Sequence, residues 1–387
     1  MTTTKAGEDF LRRRALEARE AIGLSLKEAA RLLGFQNYQT LSAIEKGKRN
    51  VNAHELSSMA RIYGRSLDYF FEHEVPSDPI PLWRKKIVTS SDLKPIQREF
   101  LSFLENYTDM EALLELKRKW KDIQRNYDKQ DFLVRGYELA DHLGAETWRA
   151  LSLGSRPAFN LLAVLENDLR VKVLHLPLPK ESGVSGATVV DEALGVGILI
   201  NANDVPWRRN FDLAHELFHV ITWDVFTPDE VGDGTVKTKP EKYADTFASS
   251  LLLPRMHLLG AINEVTTSNE IRLVDIIELA KDFGVSIDAI LWRLVNLEVL
   301  KKEYVKKVLD DQEVRKLDQA RRKGLYDKKR PAKLPERYIF LACRCVMEGK
   351  ISRGTFAKYV EANRSRIDDY LKQKGFIESS YEKIAFA

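Results

Sequence analysis

The residues with the most evident chemistry are two histidines and the glutamate beside one of them. His215 and His219 are four residues apart in an H-E-x-x-H pattern, and on a helix residues at this spacing project from one face. Both imidazoles can therefore reach one tetrahedral Zn²⁺ ion, while Glu216 lies close enough to polarise a water molecule on that ion. The pattern predicts a zinc site with Glu216 beside its bound water.

A zinc hydrolase needs a third protein ligand and one open position for water. No x-x-G-x-x-H extension follows His219, which excludes the metzincin pattern. Further along, Glu241 and Asp245 lie four residues apart in a segment with helical spacing and so share a face. We expect Glu241 to be the third ligand and Asp245 to hydrogen-bond a histidine and fix its tautomer. The alternative is that both acids belong to an ordinary solvated helix face.

The elements that carry these residues have clear sequence signals. A helix over 204–222, capped by Asp204, is expected to hold the two histidines, and a second helix over 240–252 the two acids. Strand-like runs at 171–176 and 195–200 precede them and predict a small β-sheet. Further helices are expected over 270–297.

A second group of candidate residues lies in a series of short helices near the N-terminus. The segment Ser25–Glu28 has the form of a capping box, and Gly34 is placed to end the helix that it starts. A second helix is predicted from about Asn37 to Lys46, with Leu41 and Ile44 buried. The two helices would be joined by a tight turn.

With the segments LSAIEKGKR (41–49) and LDYF (67–70), residues 9–71 resemble helix-turn-helix domains of the Xre and lambda-repressor class. The resemblance implies a dimer on a palindromic operator in double-stranded DNA, with the second helix in the major groove. It places Asn37, Tyr38, Gln39 and Thr40 near base edges, and Lys46, Lys48 and Arg49 near phosphates. The alternative is a domain of the same fold that binds protein.

The metal segment resembles a second family. The sequence NFDLAHELFH (210–219), followed by E-x-x-A-x-x-F-A-x-x-L-L-x-P (241–254), is similar to the ImmA/IrrE zinc metallo-endopeptidases over roughly residues 150–300. Several members of that family cut a helix-turn-helix repressor in response to stress, in an active site similar to that of the gluzincins. The resemblance implies that His215, His219 and Glu241 bind Zn²⁺ and that Glu216 is the catalytic acid/base.

Two positions depart from that family's usual residues. Asp245 stands where Asn is common, which keeps a hydrogen-bond acceptor. Phe218 stands where Gly is frequent before the second histidine, and its bulk predicts a narrower site.

We predict an α+β fold that is mostly α-helical. It comprises an N-terminal five-helix helix-turn-helix domain, a zincin-like (gluzincin-type) domain with a small sheet, and a helical C-terminal region. Three prolines between Val75 and Pro81 indicate a stiff linker, and amphipathic helices such as Glu111–Tyr127 follow it. The expected segments are the helix-turn-helix domain at 9–75, the linker and helical bridge at 76–150, the peptidase domain at 151–300, and the basic linker with C-terminal helices at 301–387.

The composition is that of a globular protein. The 387 residues are 44% hydrophobic and 30% charged, and no apolar run reaches the length of a membrane span, which excludes disordered and membrane classes. The first ten residues have no signal-peptide core, so a cytoplasmic location is expected. The two cysteines, Cys343 and Cys345, are too few for a disulfide framework or a paired C-x-x-C zinc site.

The net charge of +4 does not by itself indicate a nucleic-acid binder. Residues 301–340 are the most basic stretch, with 14 Lys and Arg against 7 Asp and Glu. Because acids are interspersed with the bases, a solvated helix and linker is the simplest interpretation.

Two functions remain open at this point. The first is a DNA-binding regulator whose zinc endopeptidase half cleaves a repressor or partner protein. The alternative is an antitoxin-like autorepressor whose peptidase-fold half binds a partner, such as a toxin, or senses a ligand without catalysis.

Overall fold

The computed structural model describes residues 3–65, 67–70, 82–83, 93–116, 127–180, 183–231, 238–266, 270–326 and 330–376. The chain forms two compact units, one of Met1–Pro81 with Ile87–Asn106, the other of Leu82–Lys86 with Tyr107–Ala387. Among the described residues, no helix combines the length and apolar character that a membrane crossing requires.

The first unit is an all-helical domain. Its elements are α1 (Thr3–Ala21), α2 (Leu26–Leu32), α3 (Tyr38–Glu45), α4 (Ala53–Tyr63) and a 3-10 turn (Asp68–Phe70). A further helix, α5 (Lys94–Leu113), begins in this unit and ends in the second. The predicted five-helix arrangement is thus four α-helices and one 3-10 turn.

Local sequence explains where the second and third helices begin and end. The Ser25 hydroxyl accepts a hydrogen bond from the Glu28 backbone N–H, and the Glu28 carboxylate accepts one from the Ser25 N–H, which completes the predicted capping box. Gly34 follows the helix with φ of 75°, a left-handed conformation that favours glycine. Leu41 and Ile44 are fully buried, as their spacing predicts.

The second unit contains a four-stranded sheet in the order β1-β3-β4-β2. The strands are β1 (Leu82–Trp83), β2 (Lys172–Leu176), β3 (Gly186–Asp191) and β4 (Gly195–Asn201). Strands β2 and β4 are parallel, whereas β3 is antiparallel to both β4 and β1. The runs predicted at 171–176 and 195–200 form β2 and β4. Strand β3, which lies between them in the sequence, was not predicted.

The other regular elements in the described part of this unit are helices. They are α6 (Lys129–Arg135), α7 (Tyr137–Ala150), α8 (Pro157–Asn167), α9 (Pro206–Ile221), α10 (Pro228–Val231), α11 (Lys239–Leu252), α12 (Arg255–Val265), α13 (Leu273–Asp282), α14 (Ile287–Asn296), α15 (Lys302–Asp310), α16 (Gln312–Arg321), α17 (Lys323–Tyr326), α18 (Glu336–Met347), α19 (Arg353–Tyr359), a 3-10 turn (Arg364–Arg366) and α20 (Ile367–Gln373). Helix α9 packs against β3, β4, α8 and α11, and α11 also packs against α7. The fold is thus α+β and mostly helical, as predicted.

Some predicted boundaries differ in the structure. Helix α5 ends at Leu113 and Glu115 adopts a φ of 54°, so the helix predicted over Glu111–Tyr127 does not continue through this point. Residues 117–126 and the proline segment Val75–Pro81 lie outside the described residues. The cap of α9 is Val205, not Asp204, and Pro206 occupies the first helical position.

The predicted helical region 270–297 contains two helices. Gly284, with φ of 66°, follows α13, and the Ser286 hydroxyl accepts a hydrogen bond from the Ala289 N–H at the start of α14. These two residues supply a stop and a start signal within a few positions, which is why the chain turns there.

A buried charge network joins the end of α5 to β2 and α18. Glu111 accepts a hydrogen bond from Arg337 Nη1 at 2.7 Å, and its other oxygen lies 3.2 Å from Lys172 Nζ. Arg337 also donates to the Tyr107 hydroxyl at 2.9 Å. Because the side chains of Glu111, Lys172 and Arg337 are almost fully buried, the shared carboxylate offsets part of the cost of burying two cations.

Candidate metal centre

Helices α9 and α11 hold the candidate metal ligands. Residues 212–221 of α9 are buried without interruption, because this part of the helix lies between the sheet and α11. Helix α11 begins after Thr238, with Pro240 in its first turn and Glu241 directly behind it. Both ligand-bearing segments are therefore held by packing on several sides.

The three predicted ligands converge on one point. His215 Nε2 lies 3.1 Å from His219 Nε2, and the Glu241 carboxylate oxygens lie 3.1 Å from His219 Nε2 and 3.5 Å from His215 Nε2. In a tetrahedral zinc site with bonds of about 2.0–2.2 Å, neighbouring donor atoms are roughly 3.3–3.6 Å apart. The spacing of these nitrogen and oxygen donors fits such an ion, and all three side chains are buried.

The Glu241 carboxyl is held in its charged form. Burial raises its pKa, but hydrogen bonds and charges from His215 and His219 together act more strongly in the opposite direction, so the pKa falls below its ordinary range. A metal ligand of this type must be deprotonated. This carboxylate is therefore in the form that an ion requires.

Asp245 contacts His215 from the side away from the other donors. Its Oδ1 lies 3.0 Å from His215 Nδ1, while Nε2 of the same ring faces His219 and Glu241. If Nδ1 carries the proton and donates it to the carboxylate, the lone pair of Nε2 is directed at the metal position. Asp245 thus lies within hydrogen-bond distance of a histidine, as expected from its position four residues after Glu241.

Glu216 lies on the sheet side of α9 and is fully buried. The Thr188 hydroxyl on β3 donates a hydrogen bond to Glu216 Oε2 at 2.8 Å. A Cβ atom added to Gly186 would lie only 2.7 Å from Glu216 Oε1, so the backbone of β3 passes directly against this carboxylate. Neither strand residue was predicted from the sequence, because the segment that contains them was not recognised as a strand.

The Phe218 side chain, whose bulk predicts a narrower site, has its ring edge-on to the ring of the candidate ligand His219, at a centroid distance of 5.7 Å. It is fully buried in an aromatic cluster, in contact with Phe132, Phe226 and Phe247 at centroid distances of 5.6–6.2 Å. Phe218 is adjacent to His219 in sequence, but successive helical residues point in different directions, and here the larger side chain points into the core.

A cleft of about 600 Å³ opens beside Asp245, between α9, α11 and α14. Its walls combine aromatic and charged side chains, including Trp207, Arg208, Phe211, Asp245, Asp288 and Trp292. Arg208 Nε donates to the buried Asp212 at 3.1 Å. Asp245 is the residue that lines this cleft and also contacts the candidate ligand His215. The three ligands and Glu216 do not line it.

In the first unit, the predicted DNA-contacting residues lie at the start and just after the end of α3. Asn37 is the N-cap, and its Oδ1 accepts hydrogen bonds from the backbone N–H and the hydroxyl of Thr40 at 3.1 and 3.2 Å. Tyr38 and Gln39 are exposed. Asn37 and Thr40 thus cap the start of α3, in addition to the base contacts that the resemblance implies for them.

The basic residues after α3 differ in their surroundings. Lys46 and Lys48 are exposed and form no ion pair within the described part of the chain. Arg49 instead donates to Glu55 at 2.8 Å. Inside the domain, Arg19 Nε donates to Glu45 at 2.7 Å in a pair that ties α1 to α3.

Two segments of the chain match known families. Residues 16–70 match the family described as Helix-turn-helix, and residues 166–295 match the family described as IrrE N-terminal-like domain, which is a peptidase family. No curated protein and no solved structure matches the chain. The first matched segment contains all seven predicted DNA-contacting residues. The second contains the three predicted ligands, Glu216 and Asp245. The chain therefore joins a helix-turn-helix domain to an IrrE N-terminal-like domain of a peptidase family.

Proposed function

We propose that this protein is a DNA-binding transcriptional regulator with a zinc-dependent endopeptidase domain. The endopeptidase cleaves a regulatory protein, a repressor or a partner, in a stress or mobile-element response. The observation that carries this proposal is the convergence of His215, His219 and Glu241 donors at 3.1–3.5 Å next to the buried Glu216. Such a set supplies three ligands and leaves a fourth position open, as in catalytic rather than structural zinc sites.

The donor set favours zinc. Two imidazoles and one carboxylate suit a borderline-soft ion without geometric preference, and this combination recurs in zinc peptidases. A bound Zn²⁺ would activate water and polarise the carbonyl group of the scissile bond. His215, His219 and Glu241 would hold the ion, and Asp245 would keep His215 in the tautomer that binds it.

Glu216 has the proton-transfer role in this proposal. Its carboxylate takes the proton from the attacking water and delivers it to the nitrogen of the leaving amine, so the peptide bond is broken without a net gain or loss of protons. A buried carboxylate suits this task because surrounding water is excluded and its position is set by neighbouring groups.

The helix-turn-helix domain would direct the protein to an operator. Tyr38 and Gln39 project from the exposed start of α3, where side chains of a recognition helix read base edges. Lys46 and Lys48 lie exposed after the helix and can contact phosphates without first breaking an ion pair with a described residue. We expect a homodimer on a palindromic site.

A second candidate function is ligand or partner sensing without catalysis, as in an antitoxin-like autorepressor. The cleft of about 600 Å³ supports it, because an occupant would contact Asp245 and could act on His215. In this case the metal would have a structural role, and Glu216 would not be required in the cell.

The variant Glu216→Gln separates the two candidates. If the protein is a peptidase, this variant keeps zinc and operator binding but loses hydrolysis of an internally quenched peptide library by several orders of magnitude. A reporter fused to the regulated promoter would no longer respond to its inducing condition. The matched control is Glu138→Gln, an exposed acid on α7. Normal regulation by Glu216→Gln, with full zinc content, would reject catalysis in favour of sensing.

A further inference from the structure

Two residues of strand β3 face the Glu216 side chain. Gly186 and Thr188 are two apart, so they lie on one face of the sheet, whereas Ala187 and Val189 lie on the other. Helix α9 packs on the first of these faces, and Glu216 is the α9 residue that meets both positions. Neither contact is local in sequence, since about 30 residues separate the strand from the glutamate.

Thr188 supplies a hydrogen bond to the carboxylate. Its hydroxyl is 2.8 Å from Glu216 Oε2 and 3.3 Å from the backbone carbonyl oxygen of the same residue. One hydroxyl has one proton to donate, and the shorter distance and the negative charge favour the carboxylate. Thr188 and Glu216 are both fully buried, so water does not compete for this bond.

Gly186 leaves room for the Glu216 carboxylate because it has no side chain. A Cβ at this position would meet Glu216 Oε1 at 2.7 Å, Cγ at 3.0 Å and Cδ at 3.1 Å. These atoms are not the free end of a long exposed side chain, because Glu216 is enclosed between the sheet and the helix. Any larger residue at 186 would therefore push the carboxylate away from its place.

We propose that Gly186 and Thr188 are positioning residues that fix the Glu216 carboxylate for proton transfer, Thr188 through its hydroxyl and Gly186 through the absence of a side chain. This inference rests on the proposed peptidase function. It adds a requirement on β3 that the H-E-x-x-H pattern does not contain. The physical basis is that displacement of a reacting group by about 1 Å can lower a rate roughly 100-fold.

The first test compares four full-length variants on the best-cleaved quenched peptide of a library. Thr188→Val removes the hydroxyl at nearly constant volume and is expected to lower kcat roughly 10- to 100-fold with little change in KM. Thr188→Ser keeps the hydroxyl and should restore most of kcat. Gly186→Ala should lower kcat at least as much as Thr188→Val. Val189→Ala, on the other face of β3, serves as the control for lost stability and should keep kcat.

All four variants should bind zinc in the wild-type amount. In the described structure, the contacts of Gly186 and Thr188 are with Glu216 and not with a metal ligand, and Val189 lies on the other face of β3. In the Glu216→Gln background, Thr188→Val should change the residual rate by less than about 2-fold, since its partner no longer works as a base. Wild-type kcat in zinc-loaded Thr188→Val, or an equal loss in Thr188→Ser, would overturn the proposal.

A second readout does not depend on hydrolysis. If the contact exists, Thr188→Val lowers the urea midpoint of the otherwise unchanged protein, and lowers it less when Glu216→Ala has removed the acceptor. Equal shifts in both backgrounds would overturn the contact itself. If every protein, wild type included, lacked peptidase activity while this coupling was present, the peptidase function would fail and the inferred contact would stand.

Discussion

Asp245 Oδ1 and His215 Nδ1 lie 3.0 Å apart, and the opposite nitrogen of the same imidazole faces the other two donors. We expect the aspartate to act on the metal position through the histidine, because a carboxylate at this distance favours the proton on Nδ1 and fixes the ring's orientation. The Asp245 side chain is 30% exposed at the edge of a cleft, whereas the His215 side chain is completely buried.

We predict that Asp245→Ala weakens zinc binding about 10- to 100-fold, because loss of such an outer partner leaves the histidine's tautomer and orientation unset. Asp245→Asn should weaken it less, since the amide oxygen still accepts a hydrogen bond. Competition with a chromophoric chelator measures the affinity. Asp282→Asn, an exposed residue on α13, is the control, and equal affinities for Asp245→Ala and wild type would contradict the assignment.

We also expect about one zinc ion per chain. His219→Ala and Glu241→Ala should each lose most of it, because two ligands hold an ion far less well than three. His257→Ala should retain it, since that ring packs against Trp148 at 5.4 Å instead of joining the ligand set. Elemental analysis of purified protein measures the content. Stoichiometric zinc in His219→Ala would move the metal to another site.

In operator binding, Lys48→Ala and Gln39→Ala should behave differently. Loss of a phosphate contact at Lys48 should weaken binding to all sequences and reduce the salt slope by about one. Loss of a base contact at Gln39 should weaken specific binding by about 1–3 kcal/mol and leave the slope unchanged. Mobility shifts across a salt series test both.

Lys48 is a cleaner choice than Arg49 for this experiment, because Arg49 pairs with Glu55 and its removal would also disturb α4. Lys350→Ala, an exposed lysine of the second unit, is the control. If Lys48→Ala and Gln39→Ala both bind as the wild type does, α3 is not the recognition helix.

Glu166 should make stability depend on pH. Burial raises its pKa from 4.5 to about 7, partly offset by the Arg337 charge. In its neutral form the buried Glu166 carboxyl does not lower the stability of the fold, whereas in its charged form it does. Because the folded-state pKa is raised, this contribution to stability is fully present below pH 4.5 and is lost as the pH rises through 7.

Glu166→Gln should therefore match the wild type near pH 4 and exceed it near pH 8 by about 2–3 kcal/mol in the free energy of unfolding. Urea denaturation at a series of pH values measures the difference. Glu264→Gln, an exposed acid on α12, should show no such trend. A constant difference between Glu166→Gln and wild type at every pH would contradict the raised pKa.

Features of this protein that depend on local geometry could be predicted from its amino-acid sequence. The four-residue spacing of His215 and His219, and of Glu241 and Asp245, dictates a shared helix face wherever those helices lie. The capping box at Ser25 likewise depends only on residues within one helical turn. For these reasons the two ligand helices, the helix-turn-helix segment and the mostly helical fold follow from the order of the amino acids.

Contacts between side chains of distant segments depend on how those segments pack, and they could not be predicted from the sequence. Strand β3 has too weak a periodic signal to be recognised, so the contacts of Gly186 and Thr188 with Glu216 could not be derived from spacing. The direction of Phe218 into the aromatic core, and the pairing of Glu111 with Lys172 and Arg337, likewise depend on how α9, α5 and α18 pack. Packing is a property of several segments at once, and no single segment encodes the distance between its side chains and those of another.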